Sequence, residues 1–460
     1  MDPIAPGKTS APEELRILLR LAAPIAATQS GFALMGLVDT AVVGRLGAAQ
    51  LGSIALANGL FFTVAVMGIG VMMGLDPLFA QAFGARDARR AHELIWQTVW
   101  LSLLATAVLS LPVALMPYLL PIAGTDPDIA NPASAYLLLR LFGLWPMFLF
   151  AGLRAYLQAA HTVRVLLVAT IVANVINFLL DVWWVYGGFG VPALGGPGSG
   201  LATAVASFAQ AAILFAVVPR GGKRALHWPD LRKALGVGVP VGLQLGAEVS
   251  IFALVGVLAS RLGAIPLAAH QIAITLASFT FCVAVGFGEA GSVRVGWAIG
   301  ARDTPAARRS GLLAFAAGAG VMSVAALAFW LVPVPLVRML SDQEPVIAAT
   351  IPLLAVCAVF QLSDGIQAVG AGVLRGAGDS RYAFVANVLG HYGAGFPIAI
   401  ALGIFAGMGV IGLWWGLCAG LTAVAAALLT RFLRLSSREI APLEEHPGSV
   451  PPVDAGSIPG

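Results

Sequence analysis

Apolar residues run through this chain in long blocks, broken at intervals by short clusters of charge, glycine and proline. Blocks of about 18 or more apolar residues read as helices that cross a membrane. About twelve can be drawn on that criterion, roughly at 17–43, 52–79, 92–117, 134–158, 163–187, 198–219, 234–260, 267–293, 308–336, 346–373, 381–404 and 407–432. The pattern also repeats. RLGA at Arg45–Ala48 and GARD at Gly84–Asp87 bracket one block, and the same strings return at Arg261–Ala264 and Gly300–Asp303. The displacement is 216 at both ends (261 less 45, 300 less 84), so no gap is needed, and Gly70 falls on Gly286. Such self-similarity marks an internal duplication.

The basic stretch Arg220–Lys233 (RGGKRALHWPDLRK) separates the sixth block from the seventh. Six is even, so both halves begin on the same side, and the repeats are parallel about an axis along the membrane normal. The expected organisation is a cytoplasmic segment at 1–16, a first lobe at 17–219, a basic linker at 220–233, a second lobe at 234–432, and a disordered cytoplasmic tail at 433–460 where Pro and Gly recur. Prolines at Pro24, Pro146, Pro240 and Pro397 fall inside or near the start of spans, where neighbouring helices re-satisfy the freed carbonyls.

Composition settles the class. Of 460 residues 59% are hydrophobic and 10% charged, with mean hydropathy +0.91, against about 25% charged residues in soluble domains. With both termini placed in the cytoplasm, every lysine and arginine except Arg45, Arg140, Arg261 and Arg338 falls on the inner side, a strong positive-inside bias. The net charge of +4 therefore reflects topology, and no nucleic-acid partner is expected. Residues 1–15 are polar and the following apolar run is too long for a cleaved signal. Cys282, Cys357 and Cys418 lie inside apolar spans without shared spacing, so neither a disulfide framework nor a transition-metal site is implied. No GxxxxGK[ST] loop occurs, which argues against an ATP-driven pump.

Function should reside in the ionisable groups left inside the spans, since each is costly in hydrocarbon. At 1.5 Å of rise per residue, Asp39 and Asp181 lie about 9 Å below the outer surface and Thr203 roughly 8 Å. Asn177 shares the face of Asp181 one turn deeper. In the second half, Glu248 and Asp364 both lie roughly 20 Å deep, Glu248 with Gln244 one turn away and Asp364 flanked by Gln361 and Gln367. Oxygen donors of this kind suit a hard cation; alternatively, desolvation lets a carboxylate take up a proton near neutrality. Packing hydrogen bonds are the bland alternative for each group. Glu289, near the inner surface, could simply pair there, Asp76 precedes Pro77 and suits a helix terminus, and His270 and His391 read as satisfied core histidines. Trp183, Trp184, Trp414 and Trp415, near span ends, suit an aromatic belt.

Five segments carry a family likeness: Gly36–Gly44 (GLVDTAVVG), Val185–Thr203 (VYGGFGVPALGGPGSGLAT), Ala268–Gln271 (AAHQ), Ser292–Gly296 (SVRVG), and Asp364–Asp379 with its LRGAGD ending. With them the chain resembles the multidrug and toxic compound extrusion (MATE) transporters, NorM-like branch, over about residues 14–435. The resemblance implies an all-α membrane protein of twelve transmembrane helices, in two pseudo-symmetric six-helix lobes around a central cavity. It implies a monomeric antiporter of the bacterial inner membrane that exports organic cations and other drugs in exchange for Na⁺ or H⁺, with no cofactor and no catalysis. Carried over by position, Asp39, Asn177, Asp181 and Thr203 form a cation or proton site in the first lobe. Glu248 and Asp364 are the acids of the second, with Gln361, Gln244 and Gln271 beside them. The chain departs from the NorM-like pattern at three places: Phe360 stands where a tyrosine is common, Asp181 where a neutral amide is common, and Glu289 where small residues are usual. A flippase of lipid-linked precursors would instead need cavity arginines, for which Arg140 and Arg154 are the interior candidates. An intramembrane enzyme would need a nucleophile and base, and no such motif is evident.

Overall fold

The computed structural model describes residues 10–188, 190–222 and 224–444; Lys8, Lys223 and residues 445–460 of the expected tail lie outside them. Among the described residues, eleven helices are long and apolar enough to cross a membrane, and a pair bent by 47° makes a twelfth span. The first half contains α1 (Ala11–Gly44), α2 (Ala48–Met72), α3 (Asp76–Gly84), α4 (Ala88–Ile122), α5 (Pro127–Leu141), α6 (Leu144–Ala159), α7 (Arg164–Tyr186) and α8 (Gly196–Val217). A single turn, Met73–Leu75, joins α2 to α3 within one span. The bent pair is α5 and α6, and its elbow at Gly143 presses on α8, where a Cβ would sit 3.0 Å from Ala204 Cα.

The second half contains α9 (Trp228–Arg261), α10 (Ala264–Gly300), α11 (Thr304–Leu331), α12 (Pro333–Arg338), α13 (Glu344–Gly376), α14 (Ser380–Val388), α15 (Phe396–Ile400) and α16 (Gly409–Leu435). Wider turns at Leu389–Gly395 and Ala401–Phe405 interrupt the α14–α15 span around Pro397.

The duplication is visible residue by residue. Asp87 caps α4 by accepting from Arg90 N at 2.9 Å, and Asp303 caps α11 by accepting from Ala306 N at 2.9 Å. Arg86 and Arg302 both take positive φ, at 60° and 56°, and Gly47 and Gly263 do so at 107° and 120°. Each pair is separated by the repeat displacement.

The two lobes meet through α1 on α10, α2 on α9, and α3 on α10. A Cβ on Gly84 would lie 2.0 Å from the carbonyl oxygen of Trp297, and one on Gly300 would lie 2.0 Å from that of Gln81. Trp297 is the repeat equivalent of Gln81, so this is one contact made twice about a pseudo-two-fold axis. Gly70 meets the backbone of Gly242, while its repeat mate Gly286 meets Ala22 and Ala26. Small residues that let backbones touch are how helices associate in lipid, where apolar side chains gain nothing by leaving the acyl chains. These crossings lie towards the end of the bundle that carries the basic residues, here called the basic end.

Residues 436–444 correct the expectation of a disordered tail beginning at 433. The chain continues from α16 across the basic end, with Ile440 N donating to Thr304 Oγ1 at 3.2 Å and Leu443 N to Gln81 Oε1 at 2.7 Å. Glu444 accepts from Arg90 Nε and Nη2, both at 2.7 Å, and from Lys233 Nζ at 3.1 Å. Arg90 also holds Asp230 through both terminal nitrogens, at 2.8 and 2.6 Å. Burial alone would raise the Glu444 carboxyl, but the hydrogen bonds and charges of Arg90 and Lys233 hold it below the usual glutamate value.

Two outcomes test this account. Gly84→Val or Gly300→Val should abolish monodisperse protein on size-exclusion chromatography, since the atom in the way is backbone, whereas Gly320→Ala, with open space around it, should be neutral or slightly stabilising. Glu444→Gln should cost about 1–3 kcal/mol near neutral pH, read as a lower unfolding temperature. Because the folded carboxyl is depressed, its contribution is present above the unfolded glutamate value and lost as pH falls through the folded one. The gap between variant and wild type should therefore narrow as pH falls below the unfolded glutamate value of about 4.3.

Candidate functional site

Above the seam the lobes enclose a cavity of about 530 Å³, walled by Phe32, Phe61, Phe62, Phe150, Met35 and Met147 among other apolar side chains. Its polar lining combines the charged Asp39, Arg140, Arg154, Glu248, Glu289 and Arg375 with the neutral Gln29, Asn58, Thr203, Gln244, Gln367 and Ser380.

In the first lobe, α1, α7 and α8 bring the expected residues together. Thr203 Oγ1 lies 2.9 Å from Asp39 Oδ2 and 2.9 Å from Ser199 O, and accepts from Asn177 Nδ2 at 3.3 Å. Asp181, one turn from Asn177, sits fully buried beside Asp39. Four oxygens here, Asp39 Oδ1, Asn177 Oδ1 and both of Asp181, are buried and meet no hydrogen-bond donor. A buried acceptor without a donor forfeits its hydration for nothing in return. Carboxylate, amide and hydroxyl oxygens are also the donor set that a hard cation takes. A proton shared between the two acids would serve the same electrostatic need.

The second lobe is arranged differently. Glu248 Oε1 accepts from the amides of Gln244 at 3.2 Å, Gln367 and Asn387, while Oε2 has no protein donor among the described residues. Asp364, one turn from Phe360, is buried within electrostatic reach of Glu248 but does not line the cavity. Gln361 donates to Thr280 Oγ1 at 2.7 Å. Phe360 packs edge-on against Trp414 and Phe252, with centroids 5.5 and 6.2 Å away. Trp414 is fully buried and donates to His270 Nδ1 at 3.1 Å, so it belongs to the lobe core and not to an interfacial belt. Gln271 is exposed and lies outside the cavity wall.

Cavity floor and seam carry three buried ion pairs whose members lie far apart in the chain. Arg154 Nη1 donates to Glu289 Oε1 at 2.7 Å, with Gln29 on Oε1 at 3.2 Å and Gln158 on Oε2 at 2.6 Å. Arg375 Nε lies 2.8 Å from Asp76 Oδ2. Deeper still, Arg294 grips Glu14 through Nε at 2.8 Å and Nη2 at 2.6 Å, and Ser310 adds a third bond at 2.7 Å; both charged side chains are 0% exposed. All three pairs join one lobe to the other. Their signal in the sequence was present: Arg154 and Arg294 stand inside the apolar runs FAGLRAYLQ and SVRVGW, where a free cation would be costly.

Twelve spans in two duplicated lobes, sealed at one end around a sparsely charged cavity, define a polytopic membrane protein of the solute-transporter class. The family model MatE matches residues 24–183 and 240–401. The chain is 36% identical over 438 residues to the multidrug resistance protein NorM of Burkholderia vietnamiensis, covering 92% of this chain and 95% of that one. It is 33% identical over 454 residues to a probable multidrug resistance protein NorM of Rhizobium meliloti, covering 95% and 96%. Its fold matches the eukaryotic MATE transporter AtDTX14 with a TM-score of 0.82 at 20% identity, over 92% of this chain and 96% of that one. The Vibrio cholerae MATE transporter VcmN in its bent form gives 0.81 at 19%, over 94% and 98%. The chain belongs to the MatE family.

Removing one member of a buried pair leaves the other charge stranded. Glu289→Ala should therefore cost about 3–5 kcal/mol, while the double variant Arg154→Met, Glu289→Leu should recover most of that loss. Thermal unfolding of purified protein in detergent checks both, and equal losses in the two would show that the pair is not the cause.

Proposed function

We propose that this chain is a secondary active multidrug exporter of the bacterial inner membrane, a monomer with both termini in the cytoplasm. It carries organic cations and amphiphilic drugs outward in exchange for Na⁺ or H⁺ by alternating access. The first lobe is taken as 17–219, the basic linker as 220–233 and the second lobe as 234–432. The observation that supports this most is the cluster of donorless oxygens at Asp39, Asn177 and Asp181 beside an apolar cavity shut at one end. The NorM names of its relatives point the same way.

In this orientation the sealed basic end faces the cytoplasm and the cavity faces outward. A coupling ion enters from outside and binds Asp39 and Asp181, with Thr203 and Asn177 completing the set. Glu248 and Asp364 supply a second acidic locus, and Glu248 keeps Oε2 for a cationic substrate. The ion favours closure of the outer end and separation of the seam. Substrate then enters from the cytoplasm and its cation competes for the same negative charge, so the two occupy the cavity by turns. An ion biases such an equilibrium only through its different affinity for the two states.

Export of a lipid pyrophosphate is disfavoured by the pairing of the cavity arginines. Arg154 and Arg375 are engaged by Glu289 and Asp76, which leaves too few free guanidinium groups for a polyanionic headgroup.

The deciding experiment is drug efflux from membrane vesicles with Na⁺ and pH gradients imposed separately. One gradient alone should drive efflux, and Asp39→Asn should abolish it while the protein still inserts. Wild-type efflux by the variant would remove Asp39 from the mechanism, and efflux without either gradient would remove antiport.

A further inference from the structure

Arg90, on α4 of the first lobe, is held by two carboxylates of the second. Nη1 and Nη2 donate to Asp230, in the first turn of α9, at 2.8 and 2.6 Å. Nε and Nη2 donate to Glu444, at the tip of the strap formed by residues 436–444, both at 2.7 Å. The Arg90, Asp230 and Glu444 side chains are 17%, 5% and 8% exposed. The root of the strap belongs to the second lobe. Ile440 is buried and bonds Thr304 at the start of α11, and Leu443 packs on Gly378, where a Cβ would lie 2.9 Å from Leu443 Cδ2. Its tip crosses to the first lobe, at Gln81 and Arg90. Each charge in this crossing also has a second partner within its own lobe. Arg90 has Glu93 on α4 at 3.8 Å, Asp230 has His227 at 3.1 Å, and Glu444 has Lys233 on α9 at 3.1 Å. The pair on the cavity floor differs, because Gln29, Arg154 and Gln158, which donate to the second-lobe Glu289, all belong to the first lobe.

We propose that Arg90, Asp230 and Glu444 form a releasable clasp across the basic end, whose strength sets how often that end opens. When the lobes part, Arg90 passes to Glu93, Asp230 to His227 and Glu444 to Lys233. A charge stranded without a partner is what makes a buried pair costly to break, and here none is stranded. A contact biases a two-state equilibrium only by what it is worth in one state and not in the other. The bonds of Arg90 to the second lobe exist in the closed state alone, whereas Lys233 holds Glu444 in both and is its remaining partner in the open one. The inference rests on the exporter reading, in which the basic end has to open, and adds the contact that regulates this opening. The alternative is a passive staple, which pins the strap and stabilises both states alike.

Cys282 supplies the readout. It lines the cavity, whereas Cys357 and Cys418 are buried in the second-lobe core, at 0% and 4% exposure. Everted vesicles present the cytoplasmic face, so the rate at which a membrane-impermeant methanethiosulfonate modifies Cys282 there measures opening of the basic end. Cys282→Ser sets the background. Glu444→Gln should raise the rate about tenfold, as expected for loss of a charge-assisted hydrogen bond made in one state only. Lys233→Met should lower it severalfold, because it weakens the open state more than the closed one. A rate unchanged in either variant, or a shift in the same direction in both, overturns the clasp. Modification of Cys357 or Cys418 in Glu444→Gln, read by mass spectrometry, overturns it in favour of the staple, since it reports a loosened fold. Drug uptake into the same vesicles is followed with Na⁺ and pH gradients imposed separately. No uptake by wild type under either gradient overturns the exporter reading, and the labelling rates then still decide the clasp by the same criteria.

Discussion

The structure depends on where its lobes touch. In a bilayer no hydrophobic driving force draws two apolar surfaces together, so the lobes need close backbone contact or polar pairing to hold one geometry. Both are concentrated at the basic end. Gly84 and Gly300 admit the carbonyls of Trp297 and Gln81, and three buried ion pairs cross the same seam. The strap at 436–444 adds contacts to Gln81, Thr304, Arg90 and Lys233 from outside the spans. The cavity is what remains above a seam that closes only one end.

The two lobes share a backbone plan and divide the chemistry unequally. Repeat symmetry governs the caps at Asp87 and Asp303, the glycine crossings, and the positive-φ turns. It does not govern the acids. The first-lobe acids retain oxygens without donors, whereas Glu248 has three amides on one oxygen. A carboxylate held on one side by neutral amides has one face left for a partner. Two adjacent carboxylates with three of their four oxygens lacking donors call for a positive ion or a proton between them. On the proposed function, this difference favours the first lobe for the ion and the second for the substrate cation.

Much of this was legible in the chain. Block length gave the spans because a bilayer fixes how many residues must be apolar, and the 216-residue displacement gave the two halves. Asp39, Asp181 and Thr203 could be placed at similar depth, with Asn177 one turn deeper, because helical rise is constant, and the four do converge. What could not be read is who faces whom across the seam. Arg140, Arg154 and Arg294 can be placed inside spans from the order of residues, but their partners cannot, and Arg375 counts equally well as an inner-loop charge. Pairing between lobes depends on helix rotation, which periodicity does not supply in spans that are apolar on nearly every face. Likewise the strap, polar at Ser436–Glu439 and carrying Pro442, has the composition of a disordered tail; only Leu443 and Glu444 meeting Gln81 and Arg90 reveal that it is held.

A seam made of buried ion pairs is also suited to opening. Desolvating two charges offsets most of what their attraction returns, so a buried pair contributes little net stability compared with water on both partners. Breaking one by mutation strands a charge in a dry site, but separating the lobes admits water to both partners of every pair at once. The closed and open forms of the basic end can therefore lie within a few kcal/mol of each other, although each pair is costly to delete. Shifting a two-state equilibrium from 1:99 to 99:1 takes about 5.5 kcal/mol of differential binding, and each charge moved through 100 mV contributes about 2.3 kcal/mol. On the proposed function, the coupling ion at Asp39 and Asp181 has to supply free energy on that scale. A seam of large apolar knobs packed to interior density would have been beyond its reach.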